Sequence, residues 1–359
     1  MSSTPCCVSE NNQIASQPKL LFIRSSAMGD VALSVPVVHA LSEQHPEIEV
    51  YVLTQPKFFP IFSGIPRVKL LALETRGAHR GFWGIRSLAQ TLKQHRWTAV
   101  LDAHNVLRTR VLHLWMGAGI PWHVLDKGRA DKRALISRDN KVFRPLSHAT
   151  DRYADLCFQA GFPISLGPQA CLPKPPRPLD WDDQHQGCWL GVAPFAAHKS
   201  KQYPWSALID ALTAIQEQSP NRHIRFVFFG GGAKERMMIE ELLEGFPSST
   251  HTLDLPLESQ LAWASHLDLM LAMDSANGHL AAMYGVPVVT LWGQTHPYAG
   301  FAPFLQPMER QIVPDRAQYP LLPTTIFGKK GYKPYARVME SISPERVAEV
   351  VRNTLNSLG

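Results

Sequence analysis

Lys19-Leu-Leu-Phe-Ile-Arg-Ser-Ser-Ala-Met-Gly-Asp-Val-Ala-Leu-Ser-Val-Pro36 stands near the start of the chain. Its apolar run over residues 19–24 predicts a buried strand, residues 31–43 predict a helix, and a second apolar run over 48–53 predicts the next strand. This β-α-β order predicts a mainly parallel sheet covered by helices on both faces. Small residues and a carboxylate form an elbow between strand and helix. In such sheets this edge binds ligands that carry phosphates and hydroxyls.

The same rhythm restarts after residues 167–183, which contain five prolines and favour extended linker backbone. A second elbow, Asp274-Ser-Ala-Asn-Gly-His279, again follows an apolar run. Two such elbows, one in each half, predict one site between two lobes. Further predicted strands are 98–102, 189–193, 224–229, 269–273 and 286–292, and further predicted helices are 206–218, 234–243 and 279–284.

We therefore expect an α/β protein made of two doubly wound, Rossmann-like domains, over residues 18–170 and 188–340. A disordered tail over 1–17 precedes them, and a linker over 171–187 joins them. Residues 341–359 are predicted to form a C-terminal helix that runs to about residue 355, because Ser343 suits an N-cap and Pro344 a first turn.

Composition narrows the class of protein. The chain has 359 residues and is 45% apolar, but no apolar run approaches the roughly 20 residues that a membrane helix needs. The N-terminus lacks the basic-then-apolar order of a signal peptide. Five cysteines form no metal-type spacing or disulfide framework, so we expect a reducing cytoplasm.

Positive charge is concentrated in the first half of the chain. Up to residue 180 there are 22 Lys and Arg against 13 Asp and Glu, and after it 14 against 17. The excess lies mostly within residues 70–144 and predicts an anionic partner for the first lobe. A solvated surface is the alternative interpretation.

These motifs resemble glycosyltransferase family nine, the lipopolysaccharide heptosyltransferases. The opening motif 23–36 is similar to the start of these enzymes, and the later motifs follow in the family's order. They are Lys201-Gln-Tyr-Pro204, Phe226-Val-Phe-Phe-Gly-Gly231, Asp274-Ser-Ala-Asn-Gly-His-Leu-Ala-Ala282 and Gly285-Val-Pro-Val-Val-Thr-Leu-Trp-Gly293. The resemblance implies the GT-B fold, with an acceptor domain first and a nucleotide-sugar donor domain second.

Asp30 is the expected general base. An inverting sugar transfer needs a carboxylate to take the acceptor hydroxyl's proton as that oxygen attacks the anomeric carbon. The resemblance assigns this role to the aspartate of the first elbow. The alternative is that Asp30 only caps a helix, a contribution of ~1 kcal/mol.

The expected donor contacts lie in the second lobe. A fixed ammonium stabilises a leaving diphosphate, and Lys201 is the first candidate for it, with Lys199 as its rival. The helix start at the second elbow can hold a phosphate, although Asp274 could instead be an N-cap, and a glycine run such as 230–232 is often only a turn. The donor residues predicted besides the lysines are Asp274, Ser275, Gly278, His279, Gly230 and Gly231.

The expected acceptor contacts lie in the first lobe. The segment Asp102-Ala-His-Asn-Val-Leu-Arg108 follows a predicted strand and resembles the acceptor side of the family. Its polar side chains suit hydroxyls, phosphates or carboxylates, although Arg108 could instead pair with Asp102. The acceptor residues predicted are Ser26, His104, Asn105, Arg108, Lys132 and Arg133.

No metal site is predicted. Asp180-Trp-Asp182 has the form used by metal-dependent sugar transferases, but it lies in the linker. The family resemblance implies no cofactor and no metal, with ADP-heptose or a similar nucleotide sugar as co-substrate. The chain departs from the family at Ala196-Ala197, where hydroxyl residues are usual, and at Ala276.

The predicted function is an inverting, metal-independent glycosyltransferase that moves a sugar, heptose by resemblance, from a nucleotide diphosphate to an anionic lipopolysaccharide-core glycolipid. The enzyme is expected to be a monomer at the cytoplasmic face of the inner membrane, in peripheral contact with it and without a nucleic-acid partner. One alternative is a nucleotide-sugar epimerase on the same scaffold. The other is a basic nucleic-acid-binding protein, although the second half is acidic.

Overall fold

The computed structural model describes residues 17–358; nearly all of the predicted N-terminal tail lies outside the described residues. The N-lobe carries one parallel sheet in the order β3-β2-β1-β4-β5. Its strands are β1 (Lys19–Ile23), β2 (Glu49–Thr54), β3 (Val68–Ala72), β4 (Ala99–Asp102) and β5 (Trp122–Val124). Its helices are α1 (Met28–Gln44), α2 (Phe59–Phe62), α3 (Gly81–Leu92), α4 (Leu107–Met116), α5 (Arg129–Ile136) and α6 (Ala149–Gln159).

The C-lobe carries a second parallel sheet in the order β11-β10-β9-β6-β7-β8. Its strands are β6 (Trp189–Ala193), β7 (Arg225–Phe228), β8 (Thr250–His251), β9 (Leu269–Met273), β10 (Val288–Leu291) and β11 (Gln311–Ile312). Its helices are α7 (Trp205–Glu217), α8 (Ala233–Gly245), α9 (Leu257–His266), α10 (Ala276–Ala282) and α11 (Pro344–Asn356). Two doubly wound lobes of this kind confirm the predicted GT-B architecture.

Strand order explains why the two elbows can form a site. In the N-lobe the chain builds outward from β1 through β2 and β3, then returns to place β4 on the other side of β1. The C-lobe does the same around β6 and β9. The first elbow follows β1 and the second follows β9, so each stands at the point where the strand order reverses. Ligands bind in the crevice at such points.

The helix starts differ from those predicted. Helix α1 begins at Met28 rather than at residue 31, and α10 begins at Ala276 rather than at 279. The small residues at these positions predict loop, but here they form the first turn of each helix. A first turn tolerates them because its N–H groups have no intrahelical partner in any case. Asp30 therefore lies inside the first turn of α1. The final helix starts as predicted, with the Ser343 side chain accepting a hydrogen bond from the backbone of Arg346 at 3.3 Å.

The lobes meet through helices rather than through loops alone. Helix α1 packs against α10, and one apolar core continues across this contact. Gly29 lies at the crossing, where an added Cβ would stand 2.9 Å from Cδ2 of His279. Only glycine therefore lets the two helices approach this closely without displacing the imidazole. No helix within residues 17–358 is long and apolar enough to cross a bilayer.

Candidate active site between the lobes

Two adjoining cavities open where the two elbows face each other. The cleft cavity, of about 1070 Å³, lies between the lobes, and the basic cavity, of about 560 Å³, extends from it into the N-lobe. Both volumes are in the range or close to the range of small-molecule sites. The wall that the two cavities share consists of Ser26, Ala27, Asp30, Phe301, Ile326 and Phe327.

Asp30 is held at this shared wall by an arginine from its own elbow. Nη2 of Arg24 lies 2.5 Å from Oδ2 of Asp30, and Nη1 donates to the carbonyl of Ala103 at 2.6 Å. The arginine side chain is 8% exposed and the aspartate side chain 25%. Oδ2 also accepts a long bond of 3.4 Å from the backbone of Ala27. All polar contacts that residues 17–358 make with this carboxylate fall on Oδ2, so Oδ1 stays available to a substrate.

His104 supports the same elbow from the loop that follows β4. Its Nδ1 lies 2.9 Å from Oγ of Ser25, and its Nε2 lies 3.3 Å from Oγ of Ser26. Burial, and then the positive charges of Arg24 and Lys127, lower the pKa of His104 to about 3. The imidazole is therefore neutral at physiological pH, with one nitrogen donating and the other accepting. It orients both elbow serines, of which Ser26 lines both cavities.

The basic cavity concentrates positive charge around a single carboxylate, that of Asp30. Burial, and then the charge of Arg152, lower the pKa of Lys132 to about 8. The Lys132 ammonium lies 4.3 Å from the centre of the Phe301 ring, a distance suited to a cation–π contact. An anion entering this cavity would relieve the repulsion among its cations. The six cationic residues on the wall are Arg24, Lys127, Arg129, Lys132, Arg133 and Arg152.

On the other side of the cleft cavity, Lys201 is held by the second elbow. Its Nζ lies 2.8 Å from Oδ2 of Asp274 and donates to the carbonyl of Asp274 at 3.3 Å. Thr295 donates to the same Oδ2 at 2.7 Å. The two charged side chains are 14% and 10% exposed. Asp274 thus positions the lysine and is not the N-cap of α10, a place that Ser275 takes.

Two buried polar atoms beside this pair have no partner within the described residues, Oγ of Ser275 and Nδ1 of His279. Burial lowers the pKa of His279 to about 4, although the nearby carboxylates of Asp274 and Asp30 act to raise it. The ring is therefore neutral and can donate one N–H. Both residues line the cleft cavity. Unsatisfied buried groups of this kind in a cavity wall are what a polar ligand would satisfy.

The glycines after β7 line the same cavity. An added Cβ on Gly230 would stand 2.9 Å from side-chain atoms of both Phe195 and Ile239, so a larger residue there would have to displace these side chains. The backbone N–H of Gly231 donates to Oε2 of Glu235 at 2.8 Å. Glu235 also lines the cleft cavity and brings a second carboxylate to its donor side.

The structure does not bring every predicted residue to these walls. Lys199 lines a separate cavity beside Trp205. Gly278 packs against β10, where an added Cβ would stand 3.3 Å from Val288. Asn105 donates to the carbonyl of Leu125 at 2.8 Å and accepts from Arg110, so its amide stabilises the loop instead of facing a cavity.

Arg108 lines neither cavity, and the alternative pairing with Asp102 is not formed. Oδ1 of Asp102 accepts instead from the backbone of His104 at 3.0 Å and of Asn105 at 2.8 Å. Sequence reasoning also missed residues that do reach the walls. The charge excess within residues 70–144 covers Lys127 and Arg129, but no signal singled out Arg152, Phe301 or Phe327.

Within residues 17–358, no group of three His, Cys, Asp or Glu side chains is placed to hold a metal ion. The linker motif Asp180-Trp-Asp182, which has the form of a metal site, makes contacts within the protein instead. Its Asp182 pairs with Arg225 at 2.5 Å, and its Trp181 packs against Trp189 and Trp263 with ring centres 4.9 Å apart in both cases.

Comparison with known proteins finds relatives that cover most of the chain. The family model of glycosyltransferase family 9 (heptosyltransferase) matches residues 85–320, which is more than half of the chain. The lipopolysaccharide core heptosyltransferase OpsX of Haemophilus influenzae is 23% identical over 290 residues, covering 77% of this chain and 80% of the relative. Lipopolysaccharide heptosyltransferase 1 of Pseudomonas aeruginosa is 24% identical over 292 residues, covering 78% and 79%.

Solved structures agree on the fold. A glycosyl transferase family 9 protein from Veillonella parvula superimposes with a TM-score of 0.70 at 18% identity, covering 95% of this chain and 98% of its own. The Escherichia coli heptosyltransferase WaaC with ADP gives a TM-score of 0.68 at 16% identity, covering 94% and 99%. At such identities the likeness concerns the fold alone.

Proposed function

Since the chain belongs to glycosyltransferase family 9, the heptosyltransferase family, we propose that this glycosyltransferase moves heptose from a nucleotide diphosphate to an anionic lipopolysaccharide-core acceptor. The donor is ADP-heptose or a close relative, and the transfer inverts the anomeric centre without a metal. Support comes from relatives named as lipopolysaccharide heptosyltransferases and from the related WaaC, solved with ADP and with ADP-2-deoxy-2-fluoro heptose.

The observation that carries the proposal is the pairing of two charged elbows across one cleft. Asp30, held by Arg24, faces the cavity that also contains Lys201, held by Asp274. Asp30 takes the proton of the acceptor hydroxyl as its oxygen bonds to the anomeric carbon. The bond from that carbon to the diphosphate oxygen breaks on the opposite face. Lys201 stabilises the negative charge that the leaving diphosphate gains.

The donor half of the proposal assigns the remaining cleft residues. Ser275 and His279, whose buried polar atoms lack partners among the described residues, donate to the diphosphate. Glu235 accepts from a hydroxyl of the nucleotide, which is the way carboxylates bind ribose in doubly wound domains. Ala196 and Ala197 also line the cleft cavity and supply no hydroxyl, so Lys201 carries a larger share of phosphate binding.

The acceptor half rests on the basic cavity. Six cations around one carboxylate suit an acceptor that carries several phosphates or carboxylates, because arginine binds such groups bidentately. Ser26, fixed by His104, is placed to bond the acceptor sugar beside Asp30. We further propose that the enzyme acts as a monomer at the cytoplasmic face of the inner membrane.

The epimerase and the nucleic-acid-binding alternatives are not favoured, because the family match and the named relatives are those of sugar transferases. The test is incubation of the purified protein with ADP-heptose, other nucleotide sugars and a heptose-free core acceptor, followed by mass spectrometry. We expect the acceptor to gain one heptose in metal-free buffer, with inverted configuration by NMR. Product formed from the donor alone would support the epimerase and contradict the proposal.

A further inference from the structure

Helices α3 and α4 expose large apolar side chains that no part of the described chain covers. Phe82 and Trp83 at the start of α3 are 48% and 69% exposed, and Leu107 and Leu114 of α4 are 79% and 74% exposed. The two leucines are seven residues apart and so share one side of α4. Exposed apolar groups that gather on one surface mark an interaction site, whereas scattered ones do not.

The aromatic side chains on these helices form one contiguous group. The ring centre of Phe82 lies 5.5 Å from that of Trp83 and 5.1 Å from that of Trp115. The guanidinium of Arg86 lies 5.6 Å from the Trp83 ring and 5.2 Å from the Trp115 ring. We call this surface of Phe82, Trp83, Arg86, Leu107 and Leu114 the α3–α4 face.

Positive charge predominates around the α3–α4 face, although the exposed Glu74 stands in the loop just before α3. Residues 76–124 contain seven Lys and Arg and a single acidic residue, Asp102. Asp102 is 1% exposed and bonds the backbone of its own loop. The surface therefore presents positive charge without a compensating exposed carboxylate in this stretch.

The position of the face relates it to the basic cavity. Helices α3 and α4 pack on the side of the N-lobe sheet opposite to α1 and α6, so they face away from the C-lobe. Helix α4 begins three residues after His104, which lines the basic cavity. A bilayer against this face would lie beside the N-lobe without blocking the cleft between the lobes.

We propose that the α3–α4 face docks the enzyme on an anionic lipid bilayer. Tryptophan and phenylalanine partition into the headgroup region, leucines bury in its apolar boundary, and arginines attract anionic lipids. Exposed leucines give no stacking surface for bases, so the face fits a bilayer better than a nucleic acid. The inference rests on the proposed function in one respect, that the acceptor is anchored in the same membrane.

The test is co-sedimentation with vesicles of phosphatidylethanolamine and phosphatidylglycerol, compared with vesicles of phosphatidylcholine. We expect binding to the anionic vesicles that weakens as salt is raised, because the charges are exposed. The double variant Phe82→Ser, Trp83→Ser should lose binding by about tenfold or more, since two interfacial aromatics are removed. The matched control is Phe158→Ser, which removes an aromatic that is 70% exposed on α6 and should bind like the parent.

A second readout separates this inference from the proposed function. The double variant should transfer sugar to a delipidated, water-soluble core acceptor at the parental rate and lose rate only with acceptor embedded in vesicles. If the parent transfers sugar but does not bind anionic vesicles, the docking inference is wrong and the proposed function stands. Equal vesicle binding by parent and double variant would also overturn the docking inference. So would a dimer or a nucleic-acid complex that the parent forms and the double variant does not, because the face would then bind that partner instead of a bilayer.

Discussion

The two elbows of the molecule each hold a carboxylate and a cation, but the pairs differ in what remains free. At the first elbow, Asp30 is 25% exposed and its contacts use one oxygen, while Arg24 is 8% exposed. At the second, Asp274 is 10% exposed and bonds both Lys201 and Thr295. The first pair buries the cation and leaves one carboxylate oxygen without a polar contact among the described residues, whereas the second pair buries both charges, with Lys201 14% exposed, and commits the carboxylate to two partners. Both Lys201 and Asp274 line the cleft cavity. Under the proposed function, the same chemical pair supplies a base on one side and a phosphate ligand on the other.

The cavities behind the elbows repeat this contrast in their charge. The basic cavity combines six cations with Asp30, whereas the donor side of the cleft combines Lys201 with the carboxylates of Asp274 and Glu235. A nucleotide diphosphate needs a few fixed donors and hydroxyl acceptors, while an acceptor with several anionic groups needs many cations. Under the proposed function, this charge difference assigns the anionic acceptor to the basic cavity and the nucleotide sugar to the donor side of the cleft.

The largest effect is expected from removing the base. Asp30→Asn keeps the size of the side chain but cannot take a proton, so turnover should fall by about 10²-fold or more. Donor binding, measured by calorimetry with ADP, should stay within about twofold because the second elbow is untouched. Near-parental turnover would mean that Asp30 only stabilises the start of α1. The two elbows would then not differ in the way proposed, because the first would supply no base.

A somewhat smaller loss is expected from the cation of the second elbow. Lys201→Ala should lower kcat/KM for the donor by about 10²-fold, since it removes the charge that stabilises the leaving diphosphate. Lys199→Ala is the matched control, because Lys199 lines a different cavity and should stay near the parental value. Equal losses of kcat/KM in the two variants would show that either lysine of this loop can assist the donor, and that the ion pair with Asp274 is not what matters.

Reversing charge in the basic cavity should affect the acceptor alone. Lys132→Glu with Arg133→Glu should raise the acceptor KM by about tenfold at low salt, and less as salt screens the remaining charges. Turnover at saturation should change less, because these residues hold the acceptor but do not take part in bond breaking. With the delipidated, water-soluble acceptor, for which membrane docking plays no part, Arg108→Glu provides the control outside the cavity, and an equal rise in KM there would contradict the assignment.

The smallest expected effect is a dependence on pH. Burial and the charge of Arg152 lower the pKa of Lys132 to about 8, so this lysine is a cation below that pH and becomes neutral as pH rises through it. The kcat/KM for the acceptor should therefore fall by about threefold to tenfold between pH 7 and 9. Lys132→Arg stays charged and should lose this step. Lys141, whose pKa burial also lowers to about 8, lies outside both cavities, and Lys141→Arg should keep the step.

Local sequence determined much of this protein. The predicted strands β1, β2, β4, β6, β7, β9 and β10, both elbows and the cap of the last helix follow from apolar runs, small residues and Ser343, which act over a few residues. Strands β3, β5, β8 and β11 and helices α2 to α6 and α9 were not predicted, and β3, β5 and β8 are only partly buried, so their apolar signal is weak. The segregation of positive charge into the first half could also be read directly. The candidate residues that the structure places on the cavity walls, Asp30 and Lys201 above all, come from motifs short enough to be recognised within one loop.

Only the tertiary structure decided which partners these residues have. Lys201 and Asp274 are 73 positions apart, and Ser25 and His104 are 79 apart. Such distances are closed by strand order, which brings the ends of β1 and β4, or of β6 and β9, to one edge of a sheet. In the folded chain Asn105 bonds its own loop, Lys199 lines another cavity, and Phe301 lies on the wall that the cleft cavity and the basic cavity share. Periodicity reports which face of an element is buried, but not which distant element buries it, and that choice is made when strands and helices pack within each lobe and the two lobes then meet.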